Sequence, residues 1–350
     1  IMRPRQIIGG LLSGKDLPAP SMRDFVTQMM SGSASPVSAA AILIALRSKG
    51  EAIDELVAAA EVMRDFSNKG HMPAQLHDLP LLDIVGTGGD GTSTFNISTT
   101  SLFVIAAAGG RVAKHGNRSV SSKSGSADAI EALGGNLNLS SEQVAQCIEQ
   151  TGVGFMFAPN HHPAMRHISP IRRELGVRTL FNMIGPLSNP ANAPYTLMGV
   201  YSRELLPVMA NAMKQLGAKR VLVVHSDDGM DEVSVFSPTH VCELNNGEIR
   251  VYTLHAEDFG LKHDHLDAIR VNNPEESIEM LKNALGNHAG AARDMVIFNS
   301  GVALYTLGMV NDIAAGIEKA REVIASGAAL RKMNEYVECT QQFKTEDSPV

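Results

Sequence analysis

The feature that most constrains the fold is a change of pattern near residue 80. Before it, apolar residues recur at helical spacing, as at Ile7 and Leu11, and no segment shows the two-residue period of a strand. Beyond it, short apolar runs alternate with helical segments, and we predict strands at residues 81–85, 111–113, 154–157, 196–200 and 220–224. Strands that alternate with helices form a mainly parallel sheet covered by helices. The sequence therefore predicts an α/β protein, with a small all-helical N-terminal domain and a larger α/β domain around a mainly parallel central sheet.

The boundary between these domains is predicted within a polar, proline-containing linker at residues 71–79. We assign residues 1–75 to the helical domain and residues 76–345 to the α/β domain. Part of residues 166–195 is expected to pack on the helical domain. The chain has 350 residues, of which 44% are hydrophobic, and this is enough apolar material for two domains.

The last third of the chain departs from simple alternation. Residues 234–252 combine short strand patterns with an Asn-Asn-Gly turn at residues 245–247, which predicts short strands joined by a turn. Two helices, near residues 274–286 and 311–326, are expected to close the fold.

Charge and cysteine content argue against several classes of protein. Acidic residues outnumber basic ones, 37 to 30, for a formal net charge of -7, whereas a nonspecific nucleic-acid binder usually carries a basic surplus. The three cysteines lie far apart without Cys-x-x-Cys spacing, which disfavours a structural zinc site or a disulfide framework. No apolar run approaches the roughly 20 residues that span a bilayer, and the N-terminus lacks a signal-peptide pattern. We therefore expect a cytoplasmic protein without nucleic-acid or membrane partners.

Residues 83–100 hold the first candidate site, because a buried strand runs into glycines, then hydroxyl side chains, then a helix. Glycines let backbone amides approach an anion closely, and the helix N-terminus adds donors and a positive dipole. Gly86, Gly88 and Gly91 match the dinucleotide fingerprint, but Asp90 would repel a pyrophosphate unless a metal intervened. The helix also begins late, and the next strand does not end in the acidic residue that would hold a ribose hydroxyl. These features disfavour dinucleotide binding and leave an anion-binding loop.

A second candidate loop, residues 114–126, follows the second predicted strand. It contains three cations and five serines together with two glycines. A site for a polyanion needs this mixture, because charge attracts the ligand and fixed donors orient it. Ligands bind outside the carboxyl ends of the strands in open α/β sheets, so we expect both loops at one edge of the sheet.

Several motifs together resemble the anthranilate phosphoribosyltransferase family. They are the two loops within residues 83–134, His-His-Pro-Ala-Met at 161–165, Pro-Ile-Arg-Arg-Glu-Leu-Gly at 170–176, residues 182–190, and Asp-Gly-Met-Asp-Glu at 228–232. The resemblance covers nearly the whole chain and implies a fold of the nucleoside phosphorylase/phosphoribosyltransferase type. The implied reaction, in tryptophan biosynthesis, transfers the phosphoribosyl group of phosphoribosyl pyrophosphate to the amino group of anthranilate and releases pyrophosphate. The resemblance also implies a homodimer that associates through the helical domain.

The resemblance assigns the phosphoribosyl substrate to the two loops. The implied contacts are Gly86, Gly89, Asp90, Thr94, Asn96, Ile97, Ser98, Thr99, Lys114, His115, Gly116, Asn117, Arg118, Ser119, Val120, Ser121, Ser122 and Ser126. Among these, Lys114 and Asn117 would position the groups that react in the transition state. Lys114 is the expected charge facing a phosphate.

The second substrate and the metal are assigned in the same way. Anthranilate would be bound by Gly86, Asn117, His162 and Arg172. Mg²⁺ prefers hard oxygen ligands and substrate phosphates, and it would be held by Ser98, Asp231 and Glu232. The family more often has glycine where Ser226 stands and leucine where Met230 stands, and both changes leave the carboxylates in place.

Two alternatives stay open on the sequence. A pyrimidine nucleoside phosphorylase shares the two-domain plan but uses free phosphate and a nucleoside, whereas Asp231, Glu232 and residues 161–172 favour the transferase. A non-catalytic, nucleic-acid-binding relative would have degraded loops, whereas both loops are intact here and the net charge is negative. The sequence does not distinguish the role of His161 from that of His162. It also does not show whether a glutamine amidotransferase partner docks on the chain.

Overall fold

The structure is a computed structural model that describes residues 2–67, 74–76, 78–119 and 125–345. Its N-terminal part is helical throughout, as predicted. The helices are α1 (Pro4–Leu12), α2 (Ala19–Met30), α3 (Pro36–Lys49) and α4 (Ile53–Phe66). Gly50 follows α3 with φ of 92°, a left-handed backbone conformation that favours glycine and that ends the helix.

The central sheet has seven strands in the order β3-β2-β1-β4-β5-β6-β7. The strands are β1 (Leu81–Gly86), β2 (Arg111–Gly116), β3 (Val153–Phe157), β4 (Tyr195–Gly199), β5 (Arg220–Ser226), β6 (Thr239–Asn245) and β7 (Glu248–Leu254). The first five are parallel to one another, and β6 and β7 form an antiparallel hairpin at one edge. The predicted mainly parallel sheet and the turn at residues 245–247 are therefore confirmed.

The remaining helices cover both faces of the sheet. They are α5 (Ile97–Ala107), α6 (Ser126–Ala132), α7 (Ser141–Thr151), α8 (Ala158–His161), α9 (Ser169–Leu175), α10 (Leu180–Ile184), α11 (Leu205–Gln215), α12 (Pro274–Leu285), α13 (Ala291–Thr306), α14 (Ile313–Ala325) and α15 (Ala328–Gln341). The two helices predicted near residues 274–286 and 311–326 are confirmed as α12 and α14, and the structure adds α13 and α15, which the sequence analysis missed. Helix α13 is buried on nearly every side, so its sequence carries no one-sided apolar stripe to recognise.

The sheet separates two hydrophobic cores. Along β5, Leu222 and Val224 face a core formed with α5, α7 and the C-terminal helices, whereas Val221 and Val223 face a core shared with α1–α4 and α11. Side chains on a strand alternate between the two faces, so one strand serves both cores. The helical domain is thereby seated on one face of the sheet.

The segment before β4 also packs on the helical domain. Ile168 and the apolar residues of α10 belong to the same core as α2, α3 and α4. Residues 71–73 and 77 of the predicted linker lie outside the described residues, so the exact domain boundary stays a prediction. Within the described parts of the chain, no helix is both long and apolar enough to cross a membrane.

Candidate active site

The candidate site lies at the point where the strand order in the sheet reverses, between β1 and β4. The chain proceeds from β1 outward through β2 to β3, then returns to place β4 against the other side of β1. Gly86 and Gly199, the last residues of β1 and β4, are partners in the parallel register. The loops after these two strands diverge, and the crevice between them is the usual ligand site of an open α/β sheet.

Two glycines leave room at this crevice for the acidic turn that follows β5, residues 228–232. A Cβ atom on Gly199 would overlap the carbonyl oxygen of Asp231, and one on Gly86 would lie 2.6 Å from Asp231 Oδ2. Position 199 must therefore lack a side chain for the turn to reach the crevice, and glycine at position 86 leaves room for the Asp231 carboxylate. The sequence analysis predicted that glycines in the glycine-rich loop let backbone amides approach an anion. At Gly86 the structure shows that a carboxylate, that of Asp231, also comes close to the backbone.

The glycine-rich loop after β1 has an unusual backbone. Gly88, Gly89 and Gly91 have φ of 67°, 69° and 73°, and Ser93 has φ of 57°. A left-handed conformation is costly for residues with a Cβ atom, which explains three glycines in four positions. The loop leads into α5, whose first turn carries Ser98 and whose N-terminus is directed at the same crevice.

Direct hydrogen bonds join the glycine-rich loop to the acidic turn. The Gly88 amide donates to Asp231 Oδ2 at 3.0 Å, and the Asp231 amide donates to Asp90 Oδ2 at 3.2 Å. The other oxygen of Asp90 accepts from the amide and hydroxyl of Thr92, at 3.0 and 2.9 Å. Asp90 thus organises the loop from within while facing a second carboxylate.

The acidic turn after β5 is held by its own polar network. Asp228 accepts from the Ser226 hydroxyl at 2.6 Å, from the Met230 amide at 3.1 Å, and from the Ser234 hydroxyl. Ser226, where the family more often has glycine, therefore contributes a bond to the turn. The network presents Asp231 and Glu232 toward the crevice.

The carboxyl groups of Asp231 and Glu232 are crowded and poorly hydrated. Burial raises the pKa of Asp231 to about 7, and the nearby charge and hydrogen bond of Asp90 act in the same direction. Burial, together with the charges of Asp231 and Asp90, also holds the pKa of Glu232 well above its usual range. A cation placed among these groups would relieve the repulsion between them.

Lys114 brings positive charge to the same point. It was expected in a loop after the second strand, but β2 continues through Gly116, so Lys114 and His115 are strand residues. The Lys114 ammonium is buried and donates to the Ile84 carbonyl at 2.5 Å. Burial lowers the pKa of Lys114, and the charges of Asp83, Glu232 and Asp231 oppose that shift. Strand geometry therefore fixes this charge more rigidly than a loop would.

His115 is the next residue of β2 and is also buried. Its Nδ1 lies 2.8 Å from Asp83 Oδ2 and its Nε2 lies 2.8 Å from the Gly185 carbonyl oxygen. Asn189, in the predicted motif at residues 182–190, donates to the Ala113 carbonyl of the same strand at 2.8 Å. These contacts fix β2 against the segment before β4 that packs on the helical domain.

The predicted loop after β2 is described in part. The Arg118 guanidinium binds Glu131 through two bonds of 2.9 and 3.0 Å, and the Ser119 amide donates to Asp128 Oδ2 at 2.9 Å. Ser126 begins α6, whose Asp128 also accepts from the Gly125 amide at 2.9 Å. The predicted contacts Val120, Ser121 and Ser122 lie outside the described residues.

A pair of buried histidines borders the other side of the crevice. Burial and the charge of His115 lower the pKa of His161 to about 4 and that of His162 to about 3, so both are neutral at pH 7. His162 Nε2 lies 3.0 Å from the Ser188 carbonyl oxygen, and its ring centroid is 6.5 Å from that of His115. His162 Nδ1 and both nitrogens of His161 are buried without a hydrogen-bond partner in the described part of the structure.

Arg172 lies in the last turn of α9, a helix in contact with α3 of the helical domain. Burial lowers the pKa of its guanidinium, and among the described residues no carboxylate lies within salt-bridge distance of it. Arg173, its neighbour, is exposed. A partly buried arginine without an acidic partner suits an anionic ligand, whereas the exposed one is a surface residue.

Two residues that sequence reasoning did not single out also contact the glycine-rich loop. The Arg178 guanidinium donates to the Gly89 carbonyl, and its Cζ atom lies 3.6 Å from the centroid of the Tyr201 ring. The Tyr201 amide in turn donates to Thr87 Oγ1 at 3.0 Å. Both residues lie outside the motifs named in the sequence analysis, and their contacts with a loop distant in sequence appear only in the folded structure.

Comparison with known proteins gives consistent results over the whole chain. Residues 5–67 match the helical bundle domain, and residues 78–330 the a/b domain, of a glycosyl transferase family. The chain is 52% identical over 342 residues to an anthranilate phosphoribosyltransferase of Dechloromonas aromatica, covering 98% of this chain and 100% of that one. It is also 52% identical over 344 residues to the enzyme of the same name from Cupriavidus necator, with the same coverage.

Solved structures give the same result. The anthranilate phosphoribosyltransferase of Thermus thermophilus superposes with a TM-score of 0.88 at 41% identity, covering 96% of this chain and 99% of that one. The Saccharomyces cerevisiae enzyme in complex with PRPP and Mg superposes with a TM-score of 0.86 at 29% identity, covering 97% and 98%. The expected two-domain fold is confirmed, and these relatives support neither the phosphorylase nor the nucleic-acid-binding alternative. With its glycine-rich loop, acidic turn and helical domain arranged around one crevice, the chain belongs to the anthranilate phosphoribosyltransferase family.

Proposed function

We propose that this chain transfers the phosphoribosyl group of phosphoribosyl pyrophosphate to the amino group of anthranilate, in a Mg²⁺-dependent reaction of tryptophan biosynthesis. The products are N-(5-phosphoribosyl)anthranilate and pyrophosphate. The observation that carries the proposal is the meeting of the glycine-rich loop with Asp231 at the crevice, through the Gly88 amide. Yeast relatives are described in complex with PRPP and Mg and with 4-fluoroanthranilate, which supports the same pair of ligands here.

The phosphoribosyl substrate is proposed to lie along the two loops. Backbone amides of the glycine-rich loop and the N-terminus of α5 offer donors to phosphate oxygens. Lys114 offers a buried positive charge from the neighbouring strand. The proposed contacts are those implied by the sequence: Gly86, Gly89, Asp90, Thr94, Asn96, Ile97, Ser98, Thr99, Lys114, His115, Gly116, Asn117, Arg118, Ser119 and Ser126, with Val120, Ser121 and Ser122 in the part not described.

The residues present fit a magnesium ion. Asp231 and Glu232 supply hard carboxylate oxygens, and Ser98 supplies a hydroxyl in the first turn of α5. Burial raises the pKa of both acids, and the charge of neighbouring carboxylates acts in the same direction, so a cation would stabilise their ionised forms. Among the described residues, no group of three or more His, Cys, Asp or Glu side chains forms a complete metal site. An ion with few protein ligands completes its shell with water and substrate phosphates, as magnesium commonly does. When bound, it would offset negative charge on the pyrophosphate.

The chemistry asked of the protein is mainly positioning. The amine of anthranilate is uncharged near neutral pH, so its lone pair can attack the anomeric carbon as the bond from that carbon to pyrophosphate breaks. The strongly acidic ammonium that results then loses its proton to solvent, so no general base is required for the attack. Lys114 stabilises the negative charge that grows on the departing pyrophosphate, and Asn117 orients the reacting groups between the two substrates. The neutral His162 and the partly buried Arg172 face the aromatic substrate, and Gly86 lies between both binding regions.

Anthranilate turnover tests the proposal directly. Anthranilate is fluorescent, and its signal should fall when the chain is mixed with phosphoribosyl pyrophosphate and Mg²⁺. Omission of Mg²⁺ or of phosphoribosyl pyrophosphate should leave the signal constant. A constant signal in the complete mixture at high enzyme concentration would refute the proposed reaction.

The assignment of Arg172 to the anthranilate carboxylate makes a specific prediction. We expect Arg172→Gln to raise the KM for anthranilate by about tenfold to a hundredfold, because a hydrogen-bonded charge pair with the substrate is lost. The KM for phosphoribosyl pyrophosphate should change much less. Arg173→Gln is the matched control, because its side chain is exposed. Similar kinetics in the two variants would contradict the assignment.

We further propose that the protein is a homodimer formed through the helical domain. Leu12 on α1 and Val37 on α3 are 71% and 80% exposed, and Ile44, two helical turns after Val37 on the same face, is 38% exposed. Helices α1 and α3 are in contact, so these residues lie on one small domain. Exposed apolar residues grouped in this way are typical of interfaces.

The dimer proposal predicts that Val37→Glu yields a monomer. A carboxylate in the centre of an apolar interface loses its hydration without gaining a partner, which opposes association. Size-exclusion chromatography with light scattering would measure the mass. Val251→Glu is the matched control, because Val251 is 72% exposed on β7 in the α/β domain. A mass of two chains for Val37→Glu, or a monomeric parent chain, would refute this interface.

We propose that the enzyme is cytoplasmic. Its three cysteines, Cys147, Cys242 and Cys339, are buried and free, and burial raises the pKa of Cys242. Free thiols are typical of proteins kept in a reducing compartment.

A further inference from the structure

We propose that Arg178 is a positioning residue for the phosphoribosyl substrate, which it serves by fixing the orientation of the glycine-rich loop. This inference rests on the proposed function, because the loop is there assigned to that substrate. Arg178 lies between α9 and α10, in the segment that packs on the helical domain. Its guanidinium reaches the Gly89 carbonyl, 89 positions earlier in the chain.

The contact fixes the direction of a peptide group. The Gly89 carbonyl and the Asp90 amide belong to the same planar trans peptide, so they point in opposite directions. When Arg178 holds the carbonyl on one side, the Asp90 amide must face the other side. Because Gly88 and Gly89 both have positive φ and move at low cost, this peptide would otherwise have a choice of orientations.

The guanidinium is itself held in place. Its Cζ atom lies 3.6 Å from the centroid of the Tyr201 ring, a stacking distance for arginine on an aromatic face. Tyr201 is itself held to the loop, because its backbone amide donates to Thr87 Oγ1 at 3.0 Å. Arg178 therefore bridges the loop and the end of β4.

The backbone of Arg178 is equally constrained. Gly176 ends α9 in the left-handed conformation, and Thr179 caps α10 by accepting from the Phe181 amide at 3.3 Å. The Arg178 carbonyl accepts from the Arg47 guanidinium of α3 at 3.3 Å. The arginine thus connects the helical domain to the loop through a backbone that has little freedom to move.

Glycine at position 89 is favoured by its left-handed backbone conformation. A Cβ atom there would lie 2.9 Å from the Arg178 guanidinium, in addition to the cost of φ of 69°. The backbone of the loop and the Arg178 guanidinium therefore lie in close contact at this position. A lysine would keep the charge but lose the planar group that stacks on Tyr201.

The experiment compares Michaelis constants for both substrates in Arg178→Gln and in Arg173→Gln, whose side chain is exposed nearby. We expect Arg178→Gln to raise the KM for phosphoribosyl pyrophosphate about tenfold, the effect of losing a hydrogen bond to a charged group. The KM for anthranilate should change less than about twofold, and Arg173→Gln should match the parent. Arg178→Lys should recover part of the loss.

A purely structural role would give a different result. It would lower thermal stability and kcat while leaving the two Michaelis constants in their original ratio, and that outcome would overturn the proposal. If Arg178→Gln does not fold, Tyr201→Leu and Tyr201→Phe replace it. The leucine variant should raise the KM for phosphoribosyl pyrophosphate and the phenylalanine variant should not, and equal behaviour of the two would refute the stacking role.

The test also separates this inference from the proposed function. A parent chain without turnover would refute the transferase reaction itself. A parent chain that turns over, together with an unchanged KM for phosphoribosyl pyrophosphate in Arg178→Gln, would refute the role of Arg178 alone.

Discussion

Replacing Asp231 and Glu232 together by alanine is expected to abolish transfer while leaving anthranilate binding nearly intact. The two carboxylates are assigned to the metal, and without them the charge of the pyrophosphate would lose its main compensation. Loss of a charge-stabilising group in a dry site commonly costs about a hundredfold to a thousandfold in rate, and we expect at least that. Steady-state kinetics would measure transfer, and quenching of anthranilate fluorescence would measure binding. Equal loss of rate and of anthranilate affinity would contradict the metal assignment.

A milder variant, Asp231→Asn, should separate metal binding from stability. The pKa of Asp231 is raised to about 7 from an ordinary value near 4, so the folded chain binds more protons than the unfolded chain between these values. Stability from this group is therefore present at low pH and lost as the pH rises through 7. Without Mg²⁺ at pH 8, Asp231→Asn should melt a few degrees above the parent chain, since about 1–3 kcal/mol of ionisation cost is removed.

When Mg²⁺ is added at pH 8, the parent chain should melt at a higher temperature than Asp231→Asn. The ion stabilises the folded parent chain by binding to it, whereas the variant has lost a ligand and should respond less. Thermal unfolding at pH 5 and pH 8, with and without Mg²⁺, provides the four conditions. A variant that is less stable than the parent at pH 8 without Mg²⁺ would show that Asp231 is not strained by the charges around it.

Lys114→Met is expected to have the second large effect. The ammonium is buried on β2, where the charges of Asp83, Glu232 and Asp231 all act on it. Its removal takes the positive charge away from the departing pyrophosphate. We expect kcat/KM for phosphoribosyl pyrophosphate to fall about a hundredfold or more, with little change in anthranilate affinity.

The same substitution should also destabilise the folded chain. Removing one partner from a buried group of charges leaves the others uncompensated, which costs about 3–5 kcal/mol in typical cases. The loss should be smaller at pH 5 than at pH 8, because the raised pKa of Asp231 and Glu232 leaves these carboxyls protonated in acid. Lys319→Met is the control, since that side chain is 46% exposed on α14. A loss of stability in Lys114→Met that is independent of pH would contradict this charge pairing.

The sequence by itself was sufficient for the local architecture. Helical periodicity identified α1 to α4, and short apolar runs identified the five parallel strands, because these patterns depend on neighbours a few residues apart. The glycine-rich loop was also recognisable, since left-handed conformations at Gly88, Gly89 and Gly91 require a particular residue type. Helix α13 was missed because burial on all sides removes the periodicity that marks a helix.

Only the tertiary structure determined how the site is assembled. The Gly88 amide and the Asp231 carboxylate are separated by 143 positions, and no local pattern shows that they meet. Only the sheet shows that Lys114 lies in a strand and not in a loop, because the pairing of β2 with β3 extends through Gly116. Arg178 became visible as a contact of Gly89 for the same reason. Residue types and their spacing record local conformation, whereas charge crowding, burial and contacts between distant segments exist only once the sheet brings the strand ends together.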